Sequence, residues 1–230
     1  ARYIRLDSTF ELTFNQPMQP ASTEAAFSLR ISGGELVNGS FNWNDDLTLL
    51  TFTPTTQLPR GAALELSLRA SAQAAGGTPL GQPFSIRYNT YPQLSITSTS
   101  PEPQGTIAPE RNVVINFSAP IDEDTLKAAL SVVPAVSNLN TWWNSWDLSL
   151  NIHAAFAPNT EYQISLSSAL QDEWGSPLAE PYSLTFRTGA VTPNFSIPLG
   201  SNVLFLNSSD TFLPARATNI FNVNISLGAI

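Results

Sequence analysis

The sequence predicts an all-β chain in which two antiparallel β-sandwiches follow one another. Three observations carry that prediction: a residue pattern that returns about one hundred positions later, hydrophobic alternation with a period of two, and turn residues every 8 to 12 positions or about that. Residues 9–18 align with 112–121, which sets Phe14 on Phe117 and Pro17 on Pro120. Residues 76–80 align with 174–178, and 84–88 with 182–186. The offset is 103 positions at Phe14 and Phe117 and 98 at Leu80 and Leu178, so the second copy is about five residues shorter in its middle. A register that survives one deletion marks a repeated structural unit.

Taken in order, Phe10, Leu12 and Phe14 alternate with Glu11 and Thr13, and Val113, Ile115 and Phe117 alternate with Val114 and Asn116. One side of each strand therefore faces inward. A short stretch bearing carboxylates follows at 22–27 and 122–130, where Ser22 or Asp122 is expected to cap a single helical turn. A strand then starts near Ser28 or Ser131. Residues 41–54 place Asn44, Asp45 and Asp46 between two β-prone runs, and residues 142–152 do the same with the turn at Asn144 and Ser145. Such side chains bond locally and accept positive φ. Residues 58–68 and 156–166 each read as a tight turn and a strand. A loop carrying Gly-x-Pro-Leu, at Gly77 and again at Gly175, precedes the closing strand of each copy. Residues 89–93, with Pro92, read as a short linker.

Size and composition agree with this division. The chain has 230 residues, enough for two domains of about 100 residues and a remainder. Charged residues make up 12%, against roughly 25% in an average soluble domain. Ser, Thr, Asn and Gln must supply the polar surface, which suits pleated structure better than helix. The net charge of −8 and pI near 4.5 argue against nucleic acid and anionic membrane surfaces, which need a cationic face. The absence of cysteine removes disulfides, thiolate catalysis and cysteine-ligated zinc. No apolar run approaches the ~20 residues of a membrane-spanning helix, so direct membrane insertion is not expected. The first residues lack the apolar core of a signal peptide, and the chain is expected to be a mature protein or a fragment.

The expected domains are 1–91 and 92–189. In 190–230 three further strands are predicted, at 195–199, 202–206 and 222–227. About forty residues are too few for an independent core. They are either the start of a third β domain or strands that pack on the second.

Phe14, Pro17, Leu50 to Pro54, Gly61, Gly77 to Leu80 and the closing residues 84–88 resemble the bacterial Ig-like domain of S-layer and other large surface proteins. The second copy matches at Phe117, Pro120, Asp147 to Leu150, Pro158, Asn159, Tyr162, Gly175 to Leu178 and Phe186 to Thr188. It departs where His153 and Ala154 replace the Thr-Pro after the hairpin. The resemblance covers about residues 6–189. It implies tandem immunoglobulin-like antiparallel β-sandwiches, generally spacers or adhesive modules without an active site. The tail, with its Asn-Val-Leu-Phe-Leu run at 202–206, resembles the start of a β-sandwich in bacterial α2-macroglobulin-like proteins, which implies a protease-trapping parent.

Candidate chemistry is sparse. His153 is the only histidine, so a site with two histidine ligands is excluded and a Ser-His-Asp triad depends on it alone. Its place at a strand end argues for a structural role. Asp122, Asp124, Asp45 and Asp46 are candidate calcium ligands, because calcium takes oxygen ligands from loops. Capping and turn formation explain them without an ion. Among Trp142, Trp143 and Trp146, parity with Leu148, Leu150 and Ile152 turns Trp146 inward, with Trp142 following, and turns Trp143 outward. Trp143 is therefore the candidate contact for a glycan or a protein.

The expected function is a non-catalytic structural or adhesive spacer in a large exported bacterial surface protein, extracellular or in the cell envelope, with no cofactor. Its expected partners are other domains of the same polypeptide and proteins or polysaccharide at the cell surface. The alternatives are the N-terminal region of an α2-macroglobulin-like protease inhibitor and a carbohydrate-binding module.

Overall fold

The computed structural model describes residues 3–197 and 215–224. The first repeat contains β1 (Tyr3–Ile4), β2 (Phe10–Thr13), α1 (Pro20–Ala26), β3 (Phe27–Ile31), β4 (Gly39–Trp43), β5 (Leu49–Pro54), β6 (Ala63–Leu68) and β7 (Phe84–Thr90). The second contains β8 (Ile96–Ser100), β9 (Thr106–Ile107), β10 (Val113–Phe117), α2 (Glu123–Ala129), β11 (Leu130–Val133), β12 (Ser137–Asn144), β13 (Ser149–Ala155), β14 (Glu161–Leu166) and β15 (Tyr182–Thr188). By backbone proximity the chain forms two compact units, residues 1–95 with 118–125 and 168–180, and residues 96–117 with 126–167 and 181–230.

In the first repeat one sheet has the order β1-β7-β6-β3 and the other β2-β5-β4. Alternation sets which side chains meet between them. Phe10 and Leu12 pair across the ladder with Phe52 and Leu50, and all four are buried. They join Phe27, Leu29, Leu64, Leu66 and Leu68 of the facing sheet in a single apolar core. Phe27 is its aromatic centre, 4.7 Å from Phe52 and 5.3 Å from Phe41 between ring centroids. In the second repeat the sheets are β9-β15-β14-β11 and β8-β10-β13-β12. Val113 and Ile115 pair with Ile152 and Leu150, and Ile164, Leu166, Leu184 and Phe186 are buried on the other sheet. Each fully buried Leu, Ile or Phe contributes roughly 1.5–3 kcal/mol, so this matched alternation dominates the energetics of both repeats.

One polar feature is duplicated in detail. The hydroxyl of Thr90 accepts from the Ala62 amide at 2.9 Å and donates to the Pro59 carbonyl at 2.6 Å. The hydroxyl of Thr188 accepts from the Thr160 amide at 2.9 Å and donates to the Ala157 carbonyl at 2.6 Å. Both threonines are buried. Each ties the last strand of its repeat to a turn that needs positive φ, at Gly61 (59°) or Asn159 (53°). A backbone amide left buried without its acceptor costs about 1–3 kcal/mol.

Three local expectations are corrected. Ser22 does not cap α1: the N-cap is Gln19 and Pro20 opens the helix, where its missing N–H costs nothing. Ser22 instead donates to the Gln19 carbonyl and accepts from the Gln73 amide. Asp122 does cap α2, accepting from the Asp124 amide at 3.1 Å. Residues 89–93 are no free linker, because Thr90 ends β7, the Tyr91 carbonyl accepts from Gly61 and the Gln93 carbonyl accepts from the Ser118 hydroxyl. Beyond the repeats, β16 (Asn194–Ser196) pairs antiparallel with β17 (Arg216–Thr218). The strand expected at 195–199 is thus present only as β16, residues 222–224 are not in a strand, and 202–206 and 225–227 lie outside the described residues.

Thr188→Val keeps the shape but removes both hydrogen bonds, so it is expected to cost about 1–3 kcal/mol in urea unfolding. Thr188→Ser should retain most of the stability. Equal losses for both variants would show that the methyl group, not the hydroxyl, matters.

Candidate functional site

The β12–β13 hairpin carries the tryptophans, and its turn decides where they point. Asn144 pairs with Ser149, leaving the four residues 145–148 as the turn, with Leu148 at a φ of 56°. The sequence places the turn at Asn144 and Ser145, but a turn of two residues and one of four alike set Trp143 opposite an even-numbered partner, so residue parity does not carry straight through the hairpin. Trp143 pairs with the buried Leu150 and meets Phe117 edge to face, 5.9 Å between centroids. It lies half-buried on the inner face, contrary to the expected outward orientation. Trp146 sits in the turn at 92% exposure and Trp142 at 44%, so neither points inward as parity implied. A signal in the first repeat shows the correct phase: Trp43 pairs with Leu50 and stacks on Phe14, the residue aligned with Phe117. Trp43 also donates to the Glu24 carboxylate at 2.9 Å.

The other candidate residues remain apart. Asp45 and Asp46 are exposed in the first hairpin turn, whereas the hydrogen bonds that shape that turn come from Asn44, whose side chain accepts from the Thr48 and Leu49 amides. Asp122 and Asp124 occupy the start of α2. Among the described residues no group of three or more His, Asp or Glu is arranged to hold a metal ion. His153 lies within β13 rather than at its end, because that strand runs on to Ala155. Its exposed ring Nδ1 is 3.0 Å from the Asn112 side-chain oxygen.

The unit formed by 1–95, 118–125 and 168–180 holds a polar group that sequence reasoning missed. Asp172 is 1% exposed, yet fully engaged: it forms an ion pair with Arg60 and accepts from the Trp174 and Ser176 amides, each at 3.0 Å. Arg5 bonds both Asp7 and Glu173, and the guanidinium groups of Arg5 and Arg60 lie 5.2 and 5.7 Å from the Trp174 ring centroid. Only long-range folding brings residues 5, 60 and 172–174 together. No local spacing announces them. Every charge has a partner, so the arrangement fixes structure and presents no free acid, base or nucleophile.

Arg5 holds the Asp7 carboxyl below its ordinary value of 3.8, against a smaller opposing effect of burial. The contribution of this pair is therefore complete above that value and lost as pH falls through the lowered one. In an NMR titration Arg5→Met should move the Asp7 midpoint up toward 3.8; an unchanged midpoint would remove Arg5 as the cause. For the hairpin, Trp143→Ala is expected to cost about 1–3 kcal/mol through lost packing on Phe117, while Trp146→Ala leaves the unfolding midpoint unchanged. The reverse order in urea unfolding would contradict the phase described above.

A family model described as a bacterial Ig-like domain matches residues 1–90 and again 91–188. Among curated proteins none matches the sequence. Several solved structures are similar to the chain at low identity and low TM-score. The N-terminal part of the bacterial S-layer protein SbsC is 9% identical, with 81% of this chain and 43% of that chain covered and a TM-score of 0.32. For native E. coli alpha-2-macroglobulin the values are 11%, 83%, 14% and 0.33. For the Bacteroides ovatus mixed-linkage glucan utilization protein SGBP-B, solved with a mixed-linkage heptasaccharide, they are 12%, 82%, 44% and 0.31. The chain spans less than half the length of each of these three.

Proposed function

Because the chain belongs to the family of bacterial Ig-like domains, we propose that it serves as a non-catalytic structural or adhesive module of a larger exported bacterial surface protein. One observation carries this reading: the two repeats share buried ladders, ties and turns and differ in the indoles they expose. The inward ladders, the threonine ties and the positive-φ turns are duplicated. The exposed Trp142 and Trp146 are not: Asn42 is the counterpart of Trp142, and no tryptophan stands in the first repeat's turn. Matched interiors with divergent surfaces are the signature of a scaffold, whereas a repeated active site would match at the surface.

Load-bearing spacers must unfold repeat by repeat. Pulled from both ends, the chain is expected to show two separate unfolding events, each lengthening it by roughly 300–350 Å, from about 3.6 Å per extended residue. A single event, or extension without resistance, would overturn the spacer role. On intact cells of the source organism, added protease should cut the chain while a cytosolic marker stays whole; equal protection of both would overturn the exported placement.

A binding role is favoured by Trp142 and Trp146, two exposed indoles on one hairpin. Such rings stack on sugars or anchor protein contacts. Retention on insoluble cell-wall polysaccharide should drop at least tenfold in a Trp142→Ala, Trp146→Ala double variant, and unchanged retention would eliminate a glycan contact through this hairpin.

A further inference from the structure

The outer face of the sheet β8-β10-β13-β12 is built from amides, hydroxyls and one indole. Residues paired across a ladder share a face, so Trp142 stands in a row with Asn151, Val114 and Ser100. A second row sets Asn140 beside His153, whose ring meets the Asn112 side chain. On the other flank Asn144 and Asn116 both lie opposite Ser149. Strands about 4.8 Å apart make the full row from Trp142 to Ser100 roughly 14 Å long. Among the described residues, these rows contain no lysine, arginine or carboxylate.

The first repeat has the same ladder with different chemistry on it. Asn42, Thr51 and Glu11 occupy the row of Trp142, Asn151 and Val114, and Ser40 and Thr53 stand in place of Asn140 and His153. A charge is present there, and the hairpin's indole, Trp43, lies on the inner side. The amides are also held differently. Asn44 uses both ends of its side chain, accepting from the Thr48 and Leu49 amides and donating to the Thr48 hydroxyl at 3.1 Å. Asn144 accepts from the Trp146 amide, but Leu148 stands where Thr48 does, so its NH2 takes no partner among the described residues. Asn140 and Asn151 donate to the Asn138 carbonyl at 3.0 Å and the Ser149 hydroxyl at 3.4 Å, which leaves their side-chain oxygens without a donor among the described residues. Each amide is thus anchored at one end and open at the other.

We propose that this face binds a neutral polysaccharide chain, with Trp142 as the stacking platform. The proposal rests on the binding role of the hairpin indoles and adds to it the surface and the ligand class. A sugar hydroxyl both donates and accepts, so it matches a surface that sets open amide oxygens beside an open NH2. The C–H side of a pyranose ring is apolar and covers an exposed indole, and Trp142 is 44% exposed. A protein partner would instead need an apolar centre within a polar rim, whereas Trp142 and Val114 are the only apolar members of these rows. Charge selects against an acidic glycan. The Ser149 hydroxyl holds the Asp147 carboxylate at the turn end of the face, 2.7 Å away, and the net charge of the chain is −8, so a polyanion would meet like charge and no cation.

The test is an NMR titration of the complete chain with cellohexaose, mannohexaose, chitohexaose and hexagalacturonate. It follows the Trp142 indole N–H and the side-chain NH2 signals of Asn140, Asn144 and Asn151. At least one neutral hexasaccharide should shift the Trp142 signal and two of the three amides saturably, and hexagalacturonate should bind at least tenfold more weakly. Trp142→Ala should weaken the binding tenfold or more. Asn140→Ala, at an exposed position, should weaken it at least threefold alone and fivefold together with Asn151→Ala. Asn42→Ala, at the matching place in the first repeat, should leave it unchanged, and backbone amide spectra check that each variant keeps its fold. Shifts confined to the Trp142 and Trp146 indoles would overturn the face as the site while the hairpin contact stands. No shift with any neutral sugar would overturn the proposal and leave the indoles to a protein contact. Hexagalacturonate binding as tightly as the neutral sugars, or an equal loss with Asn42→Ala, would also overturn it.

Discussion

Each repeat depends on two sheets presenting their apolar sides to one another. In a β-strand side chains alternate strictly, so a shift of one residue would move a whole set from the core to solvent. Phe10, Leu12, Leu50 and Phe52 must therefore share a parity with the ladder that pairs them, as must Val113, Ile115, Leu150 and Ile152. The remaining features hold that register. The turn at Asn44 fixes the phase of one hairpin, and the threonines at 90 and 188 fix the last strand against the turn that precedes its neighbour. Helices α1 and α2 end where β3 and β11 begin, and both bury an alanine in their last turn, Ala26 and Ala129.

The same constraint explains why the repeats are not equivalent. The four-stranded sheet of the second covers Leu184 and Phe186 completely, while the three-stranded sheet of the first leaves Ile86 exposed and Tyr88 half-buried. A sandwich of fixed width needs equal coverage on both sides.

Much of this was legible in the sequence because the signal was periodic. The inward faces of β2 and β10, the capping role of Asp122 and the Gly-x-Pro-Leu loops with positive φ at Gly77 and Gly175 all follow from local patterns. The tryptophan orientations did not, because paired residues share a face and an even-numbered turn sets Trp143 opposite an even-numbered partner, here Leu150, whereas parity counted along the chain sets them on opposite faces. Comparing Trp143 with Trp43, one repeat earlier, would have set the phase. Strand β8 was illegible for another reason: Ile-Thr-Ser-Thr-Ser offers one apolar residue, and the strand forms because β10 needs a second neighbour. The Arg60 and Asp172 pair, 112 residues apart in sequence, carries no local mark at all.

The most direct test of the account is native-state hydrogen exchange of the unmodified chain, resolved by residue. Alternating burial in two like sandwiches predicts two separate sets of slow amides, one in β5 and β6 and one in β13 and β14. Protection confined to one repeat would contradict it.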